Sequence, residues 1–305
     1  MKVLVIGATG FIGHHLVRKL IEREHEVIVF TRNHVKAQKL FVDRVYIQQW
    51  RTDDYIMLQE FAHKVEVVIN LAGENLAAKR WTSEQKRKIL STRVNIGKAL
   101  SFALKQSHTK PYLLMQASAV DYYGFSEDKV FTEEHSNGSG FLAMVTRQWE
   151  DSVRNVEKDK TRKVFLRTGV VLGRQGGMLP KVMLPFRYFA GAYLGSGEQS
   201  LSWIHIEDEV DAIIWIMEKK DSAGAYNLTS PNPVSMKEFV KTLSKVMGRP
   251  AFFKVPSFVL KTIYGDMAKE TILSGQKAIP KRLQNEGFEF KHTDLEEAIK
   301  NILNK

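Results

Sequence analysis

The chain has 305 residues, of which 44% are hydrophobic; it carries a formal net charge of +11 and contains no cysteine. These values exclude disulfides, thiolate zinc sites and a cysteine nucleophile, and they fit a cytoplasmic protein large enough for one core plus a smaller lobe. No apolar run approaches the roughly 20 residues of a membrane span, no signal peptide is recognisable, and the positive charges are scattered. We therefore expect neither a membrane nor a nucleic acid as partner.

From the N-terminus to residue 175, short apolar segments alternate with longer segments of helical periodicity. Six segments are strand-like: KVLVIG, EVIVFT, RVYIQQW, VEVVINLAG, YLLMQAS and KVFLRTGVVLG. Most are rich in Val, Ile and Leu along their whole length, which is typical of parallel strands covered on both faces. The alternation predicts an α/β fold of the Rossmann type, with a doubly wound parallel sheet.

The pattern changes near residue 175, where glycines and aromatic residues replace the regular alternation. We predict that residues 176–200 leave the sheet, that 201–230 return to it, and that 231–305 are mostly helical. The predicted organisation is a nucleotide-binding Rossmann domain of residues 1–175 together with 201–230. A smaller, mostly helical substrate lobe would contain residues 176–200 and 231–305.

A glycine-rich loop, GATGFIG, follows the first strand and precedes the first helix. Glycines there allow a tight turn and a close approach of the backbone to a pyrophosphate, which the helix N-terminus faces. The G-x-x-G-x-x-G spacing is informative because of this strand–helix context, and the alternative is a turn without a ligand. The residues predicted to contact a dinucleotide are Gly7, Thr9, Gly10, Phe11, Ile12 and Gly13.

The end of the second strand predicts which dinucleotide is bound. An acidic residue at that point favours NAD because it binds the ribose 2′-hydroxyl. This chain has Thr31 and Arg32 instead. A guanidinium can pair with a 2′-phosphate and stack on adenine, so the sequence predicts NADP(H). The alternative is that Arg32 is an ordinary solvated arginine.

Five motifs, GATGFIG, NLAGE, ASAVDYYG, LRTGVVLG and WIHIEDEV, occur in the order found in extended short-chain dehydrogenases/reductases, the NAD-dependent epimerase/dehydratase group. The strings NLAGENLAAKRWT, GSGEQSLSWIHIED and RPAFFKVPSFVL, with the LPF segment, resemble more closely an atypical branch of that group. Its members are called epimerase family proteins, and some are labelled nucleoside-diphosphate-sugar epimerases or cell-division-inhibitor-like proteins. The resemblance covers nearly the whole chain but implies no particular reaction.

The resemblance also implies cofactor contacts outside the glycine loop. Thr31 and Arg32 would meet the 2′-phosphate, while Arg51 and Thr52 would lie near the adenine. The contacts implied further along the chain are Leu71, Ala72, Gly73, Glu74 and Arg80 after the fourth strand, and Arg167 from the sixth. An ordinary loop carboxylate is the alternative for Glu74.

The wider family moves a proton with a tyrosine that is followed four residues later by a lysine, which lowers the tyrosine pKa. No tyrosine of this chain has a lysine at that spacing. If Glu150 aligns with the acidic residue that often follows the motif, Leu142 and Thr146 take the places of tyrosine and lysine. Neither side chain can perform this proton transfer.

Other proton carriers are conceivable in ASAVDYYG, at the end of the fifth strand, where the family places a serine or threonine that polarises the substrate. Ser118 and Tyr123 are the catalytic candidates, and Asp121 and Tyr122 lie beside them. Structural or substrate-contact roles are the alternative for each. An unperturbed tyrosine has a pKa of about 10, which suits a general acid poorly.

The substrate side also departs from the family. Nucleotide-sugar enzymes often carry an arginine for the substrate diphosphate just before the WIHIEDEV strand, where this chain has Leu201 and Ser202. Nearby aromatic residues suggest a less polar pocket, with ordinary packing between lobes as the alternative: Phe186, Phe189, Tyr193 and Trp203. We predict a structural role for His205 and no metal site.

Three functions remain open from the sequence. The first is an NADP(H)-dependent oxidoreductase that acts on an unidentified small substrate. The second is a non-catalytic NADPH-binding sensor that regulates a partner, and the third is a nucleotide-sugar epimerase or dehydratase. A homodimer is kept open as the oligomeric state.

Overall fold

The computed structural model describes residues 1–42, 44–126, 128–157 and 160–305. The strands are β1 (Lys2–Ile6), β2 (Glu26–Thr31), β3 (Tyr46–Gln49), β4 (Val67–Asn70), β5 (Leu113–Ala119), β6 (Val130–Phe131), β7 (Arg162–Thr168), β8 (Val170–Leu172), β9 (Gly191–Leu194), β10 (Ser200–Leu201), β11 (Trp203–His205), β12 (Gly224–Leu228), β13 (Val234–Ser235), β14 (Ala251–Val255) and β15 (Lys277–Ala278). The helices are α1 (Phe11–Glu22), α2 (His34–Phe41), α3 (Tyr55–Ala62), α4 (Ser83–Gln106), α5 (Phe141–Asp151), α6 (Leu179–Arg187), α7 (Ile206–Glu218), α8 (Met236–Met247), α9 (Ser257–Tyr264), α10 (Lys281–Asn285) and α11 (Leu295–Leu303). A 3₁₀ turn, Val120–Tyr123, follows β5, and a π-helical turn, Ala268–Ile272, follows α9.

Seven parallel strands form the central sheet in the order β12-β7-β5-β4-β1-β2-β3. The order reverses between β1 and β4, which both pair in parallel with their neighbours. In such sheets the ligand crevice lies beyond the carboxyl ends of the strands at that reversal. The predicted Rossmann-type, doubly wound sheet is therefore confirmed.

Two apolar cores cover the faces of the sheet. One contains side chains of α1, α2 and α7, such as Leu16, Phe41 and Ile213. The other contains side chains of α3 and α4, such as Leu58 and Leu100. Because both faces are buried, the sheet strands need apolar residues at successive positions, which explains their unbroken apolar runs.

A third core lies outside the central sheet and joins α6, α8 and α11. Trp203 and Phe186 are fully buried in it, and the Trp203 indole donates a hydrogen bond to the Asn232 carbonyl. Of the two alternatives for these residues, ordinary packing is therefore the one observed, because their rings fill the core and line no pocket. Tyr193 packs against the same core, whereas Phe189 is exposed.

Two S/T-x-x-E patterns in the sequence predict capping boxes at helix N-termini, Ser235 with Glu238 and Thr293 with Glu296. Ser235 does cap α8, accepting a hydrogen bond from the Glu238 amide. The box at Thr293 is wrong: Asp294 caps α11, since its extended backbone lets the carboxylate accept from the Glu297 amide. Aspartate is at least as good an N-cap as threonine.

The remaining short strands pair outside the central sheet. Within the segment 201–230, β12 pairs with β7 in the sheet, whereas β11 pairs with β8 beside it. The strand β14 pairs with β9 at the edge of the smaller lobe. Across the described ranges, no helix has both the length and the apolar character needed to cross a bilayer.

Candidate functional site

The glycine loop between β1 and α1 crosses other backbone segments at close range. Gly7 has φ +90°, and a Cβ atom there would lie 2.8 Å from the Ala72 nitrogen. A Cβ atom on Gly13 would lie 2.4 Å from the Gly7 carbonyl oxygen. Both positions therefore require glycine, one for its backbone conformation and close contact, the other for contact between the helix and the loop.

The N-terminus of α1 opens into the ligand crevice with its charge uncompensated. Gly10 is the N-cap and supplies no side-chain hydrogen bond, and the first turn holds no acidic residue. The leading amides of a helix have no intrahelical acceptor, and the helix dipole makes this end positive. The loop thus has the features of a pyrophosphate site, and the individual contacts of residues 7–13 stay predictions.

The Phe11 side chain packs against a second group of glycines, in the GRQGG segment after β8, which the sequence alone does not connect with the site. Cβ atoms on Gly173 and Gly176 would lie 2.5 and 2.4 Å from the Phe11 ring. The GRQGG segment after β8 is therefore shaped by contact with Phe11. The side chain of Phe11 serves packing, while its backbone amide belongs to the helix N-terminus.

The carboxyl end of β2 carries the groups predicted for the 2′-phosphate. Thr31 is buried, and its hydroxyl accepts a hydrogen bond from the Asn33 amide. Arg32 is exposed and forms no ion pair among the residues that the structure describes, although its charge acts on the Glu74 carboxylate. Lys36, which the sequence analysis missed, reaches from α2 to the glycine loop and donates to the Thr9 carbonyl at 3.0 Å. Two cations therefore lie at this end of the crevice.

Replacing Arg32 or Lys36 by alanine is expected to weaken NADPH binding about 10- to 100-fold and to leave NADH binding unchanged. Each charge-assisted hydrogen bond to a phosphate contributes roughly 1.5–3 kcal/mol, and NADH has no 2′-phosphate. Calorimetric titration of both nucleotides would measure this. Lys39→Ala, on the same helix, is the matched control. Equal losses for both nucleotides would contradict the assignment.

The predicted adenine contacts follow β3. Arg51 is exposed and lies 3.4 Å from the Asp53 carboxylate, and Thr52 is half-buried. A shallow depression here is lined by Gln49, Trp50, Arg51, Asp53 and Asp54. Its position beside the end of β2 agrees with an adenine site, and the contacts themselves stay predictions.

The loop after β4 runs beside the glycine loop. The Leu71 amide bonds to the Ile6 carbonyl at 2.8 Å, and Ala72 lies against Gly7. Glu74 is paired with Lys88 on α4 at 3.1 Å. Although burial acts to raise the pKa of Glu74, hydrogen bonds from Lys88 and Gln85 hold it below its ordinary value.

Arg80 and Gly73, also predicted as cofactor contacts, meet other groups. Arg80 is exposed and approaches Gly265, where a Cβ atom would lie 3.7 Å from its Nε atom. Gly73 lies over Arg93 of α4, whose Cζ atom would be 2.9 Å from a Cβ there. The loop after β4 therefore lies against the guanidinium of half-buried Arg93, a residue that the sequence alone does not identify.

The two predicted catalytic residues belong to a buried hydrogen-bond network around Glu150 of α5. The Ser118 hydroxyl donates to Glu150 at 2.7 Å, and Arg167 forms a two-pronged ion pair with the same carboxylate at 2.9 and 3.0 Å. Arg167 also donates to the Tyr123 hydroxyl, which in turn donates to the Asn227 side chain at 2.6 Å.

This network limits the chemistry of its members. Burial raises the pKa of Tyr123 to about 12, even though Arg167 acts to lower it. The Arg167 guanidinium also lies 3.5 Å from the centre of the Tyr122 ring. Ser118, Tyr123 and Arg167 all form hydrogen bonds within this buried network. Catalysis by Ser118 or Tyr123 and cofactor contact by Arg167 would compete with these hydrogen bonds, and both roles stay predictions.

The positions of the missing tyrosine and lysine are apolar and closed. Leu142 is buried in a cluster with Trp81, Ile89 and Met267. The Thr146 hydroxyl bonds back to the Leu142 carbonyl at 2.9 Å. No proton carrier therefore occupies either position, as the sequence indicates.

A carboxyl group does occupy the turn after β5. The charges of Arg93 and Glu270 both act on Asp121. Burial raises the pKa of Asp121 to about 6, and Glu270 contributes to the rise while Gln276 and Arg93 oppose it. Glu270 comes from the π-helical turn and accepts hydrogen bonds from the Phe141 and Leu142 amides at 3.0 Å each. A carboxyl group whose pKa is raised towards neutrality thus lies at the carboxyl edge of the sheet.

His205, Glu207 and His292 lie close together in the structure. His292 is distant from the other two along the chain, so the sequence spacing does not indicate a metal site. Their ligand atoms lie within 4.8 Å of one another. However, His205 Nδ1 accepts from the Glu207 amide, which leaves the proton on Nε2, the wrong tautomer for a metal ligand there. Burial, together with His292, lowers the pKa of His205 to about 4. The geometry agrees with a structural, uncharged His205.

Comparison with known proteins gives the family. The model of the NAD-dependent epimerase/dehydratase family matches residues 3–229, and a domain of unknown function, DUF1731, matches residues 255–302. The epimerase family protein YfhF of Bacillus subtilis is 38% identical over 304 residues, covering 99% of this chain and 98% of that protein. A chloroplastic SDR39U1 homologue of Arabidopsis thaliana, also called an epimerase family protein, is 37% identical, covering 99% and 87%.

A solved structure supports the same assignment. The human epimerase family protein SDR39U1, crystallised with NADPH, is 31% identical, with a TM-score of 0.90 and full coverage of both chains. The match extends through both the Rossmann sheet and the smaller lobe. The resemblance inferred from the sequence motifs is therefore confirmed, and the chain belongs to the NAD-dependent epimerase/dehydratase family, in the branch of the epimerase family proteins.

Proposed function

We propose that this protein is an NADP(H)-dependent oxidoreductase that acts on a small carbonyl compound, with Asp121 as its proton donor. The observation that carries this proposal is the position of Asp121 in the turn after β5, where the Arg93 and Glu270 charges both act on its carboxyl group. The related human protein was crystallised with NADPH, and the family includes enzymes that use this class of cofactor.

The chain's own residues account for cofactor binding. The amides at the N-terminus of α1 would hold the pyrophosphate, and Arg32 with Lys36 would hold the 2′-phosphate. When bound, NADP(H) supplies the hydride. Arg93 supports the loop at Gly73, and its positive charge also acts on Asp121.

Asp121 suits proton donation because its environment opposes ionisation. Burial and the nearby Glu270 charge both favour the neutral acid, while Arg93 prevents a still larger shift. A general acid works best when its pKa lies near the operating pH. Leu142, at the position of the family's tyrosine, is buried in an apolar cluster and cannot donate a proton. The turn after β5 therefore remains as the source of the proton.

The test is NADPH oxidation with a panel of aldehydes, ketones and enones. Asp121→Asn is expected to lower turnover at least about 100-fold while NADPH affinity stays unchanged. Wild-type turnover should fall as the pH rises through about 6, the pKa of Asp121. Asp151→Asn, at an exposed carboxylate on α5, is the matched control. An Asp121→Asn variant with full turnover would refute the role of Asp121.

A non-catalytic NADPH-binding sensor is the second candidate, and the buried network favours it. Ser118 and Tyr123 hold Glu150 and Asn227 instead of facing the crevice as free groups. NADPH binding without turnover on the whole panel, together with NADPH-dependent capture of a partner, would support this function.

A nucleotide-sugar epimerase is less well supported. Leu201 is buried and pairs with Val234, and the Ser202 hydroxyl donates to the Gln276 carbonyl. Neither residue can hold a substrate diphosphate. Turnover of a nucleotide sugar in the same assay would favour this third function over the other two.

A further inference from the structure

The smaller lobe exposes an unusual density of aromatic side chains. They lie at the end of α6, on β14 and on α9, and we refer to residues 184–189, 249–255 and 257–264 together as the aromatic-basic surface. Tyr188, Phe252 and Phe258 are 76%, 83% and 69% exposed. Phe189 and Phe253 are also more than half exposed. Scattered exposed apolar residues need no explanation, but a concentration of this kind marks an interaction site.

The local geometry brings these segments together and turns the rings outward. Ala251 pairs with Gly191, and Phe253 pairs with the next residue, Ala192, so Phe252 is an extra residue in the strand. Such a bulge redirects side chains, which explains why two successive rings are both exposed. Arg249 joins the segments, because its guanidinium lies 3.9 Å from the centre of the Phe189 ring.

The charge of the surface has one sign. No Asp or Glu occurs in residues 160–197 or in residues 239–265. The surface contains Arg187, Arg249, Lys254 and Lys261. In the described part of the chain, none of these four side chains forms an ion pair with a carboxylate. An extended apolar area is thus surrounded by unneutralised cations.

We propose that the aromatic-basic surface binds the anionic surface of a lipid bilayer. Aromatic rings sit favourably at the level of lipid headgroups, and each Lys or Arg near an anionic membrane adds about 1 kcal/mol of attraction. The absence of acidic residues across two long segments complements a negatively charged surface. This proposal concerns adsorption, without a spanning helix, and it does not depend on the proposed oxidoreductase activity.

The sequence alone predicts no membrane partner, because it contains no long apolar run. The surface consists instead of short segments that are far apart in the sequence, as Phe189 and Phe252 are. The pairing of β9 with β14 brings these segments together. The alternation of apolar and basic residues in AFFKVPSFVLK was visible in the sequence. Only the structure shows that these rings remain outside the core.

Sedimentation with lipid vesicles tests the proposal on the full-length protein. We expect binding to phosphatidylcholine vesicles that contain about one third phosphatidylglycerol, with affinity falling as salt screens the charges. Changing Phe252, Phe253 and Phe258 together to serine should lower the partition coefficient at least about tenfold. Lys254→Glu with Lys261→Glu should abolish binding to the anionic vesicles.

Matched variants elsewhere on the surface control for general effects. Phe102→Ser and Lys105→Glu change an exposed ring and a lysine on α4, and both should bind vesicles like the wild type. Circular dichroism would verify that every variant is folded. No binding to anionic vesicles, or equal losses in the controls, would overturn the proposal. Self-association that the serine variant abolishes, without vesicle binding, would identify a second copy as the occupant and would also overturn it.

Discussion

Replacing Glu150 by glutamine is expected to lower the free energy of unfolding by about 3–5 kcal/mol. The Arg167 guanidinium is buried and donates two hydrogen bonds to this carboxylate. A neutral amide leaves its charge uncompensated in the interior, which costs far more than the loss of an exposed ion pair. Urea unfolding of the purified variant, followed by circular dichroism, would measure the change.

Asp151→Asn is the matched control, because its exposed ion pair with Arg147 spans 3.8 Å. That variant should change stability by less than about 1 kcal/mol. Similar losses in both variants would mean that Arg167 is solvated in solution. A double variant, Glu150→Leu with Arg167→Met, should recover much of the lost stability, because it removes both charges together.

Substitutions in the same network distinguish a structural role from a catalytic role for Ser118 and Tyr123. If they act structurally, Ser118→Ala and Tyr123→Phe should lower stability while turnover of the folded fraction is retained. If they act catalytically, turnover should fall without a matching loss of stability. The high pKa of Tyr123, raised by burial to about 12, favours the structural outcome.

Glu209 gives the second large effect, a stability that depends on pH. It is buried on α7, accepts one hydrogen bond from Thr168 at 2.8 Å, and leaves its other oxygen unpaired within the described structure. Burial raises the pKa of this carboxyl group from 4.5 to about 8. Between these pH values the folded protein keeps a proton that the unfolded chain has released.

The sign follows from this difference in bound protons. The contribution of Glu209 to the free energy of unfolding falls as the pH rises from about 4.5 to about 8, with a limiting slope of about 1.4 kcal/mol per pH unit. Below pH 4.5 both states bind the proton and the effect disappears. Glu209→Gln should remove this slope, so that the variant gains stability relative to the wild type as the pH rises towards 8.

Urea unfolding at several pH values would measure the slope, with Glu60→Gln as a control at an exposed carboxylate on α3. The control should retain the wild-type pH dependence. A Glu209→Gln variant with the same slope as the wild type would show that Glu209 is ionised in the folded protein.

Much of the fold could be predicted because its signals are local. A parallel sheet covered on both faces requires continuous apolar strands, and these appear directly in the sequence. The glycine loop was recognisable for a related reason: Gly7 and Gly13 are required by contacts within one strand–turn–helix unit and its immediate neighbour. Thr31 and Arg32 were located by their position at the end of β2.

Long-range contacts explain what was missed. Lys36 meets the glycine loop because of how α2 packs, and Arg93 meets Gly73 because α4 runs beneath the loop after β4. Glu270 reaches the N-terminus of α5 from more than 120 residues away. Local errors had local causes, as at α11, where Asp294 competes with Thr293 for the cap.

The sequence by itself determined the Rossmann-type sheet, the dinucleotide loop and the loss of the family's tyrosine–lysine pair, because periodicity, glycine spacing and residue identity are properties of neighbouring residues. Only the tertiary structure decided which side chains are available for chemistry. It placed Ser118 and Tyr123 in the network around Glu150, and it brought Asp121 under the influence of the Arg93 and Glu270 charges. Burial and charge pairing set the proton affinity of a side chain, and both depend on segments that meet only when the chain folds.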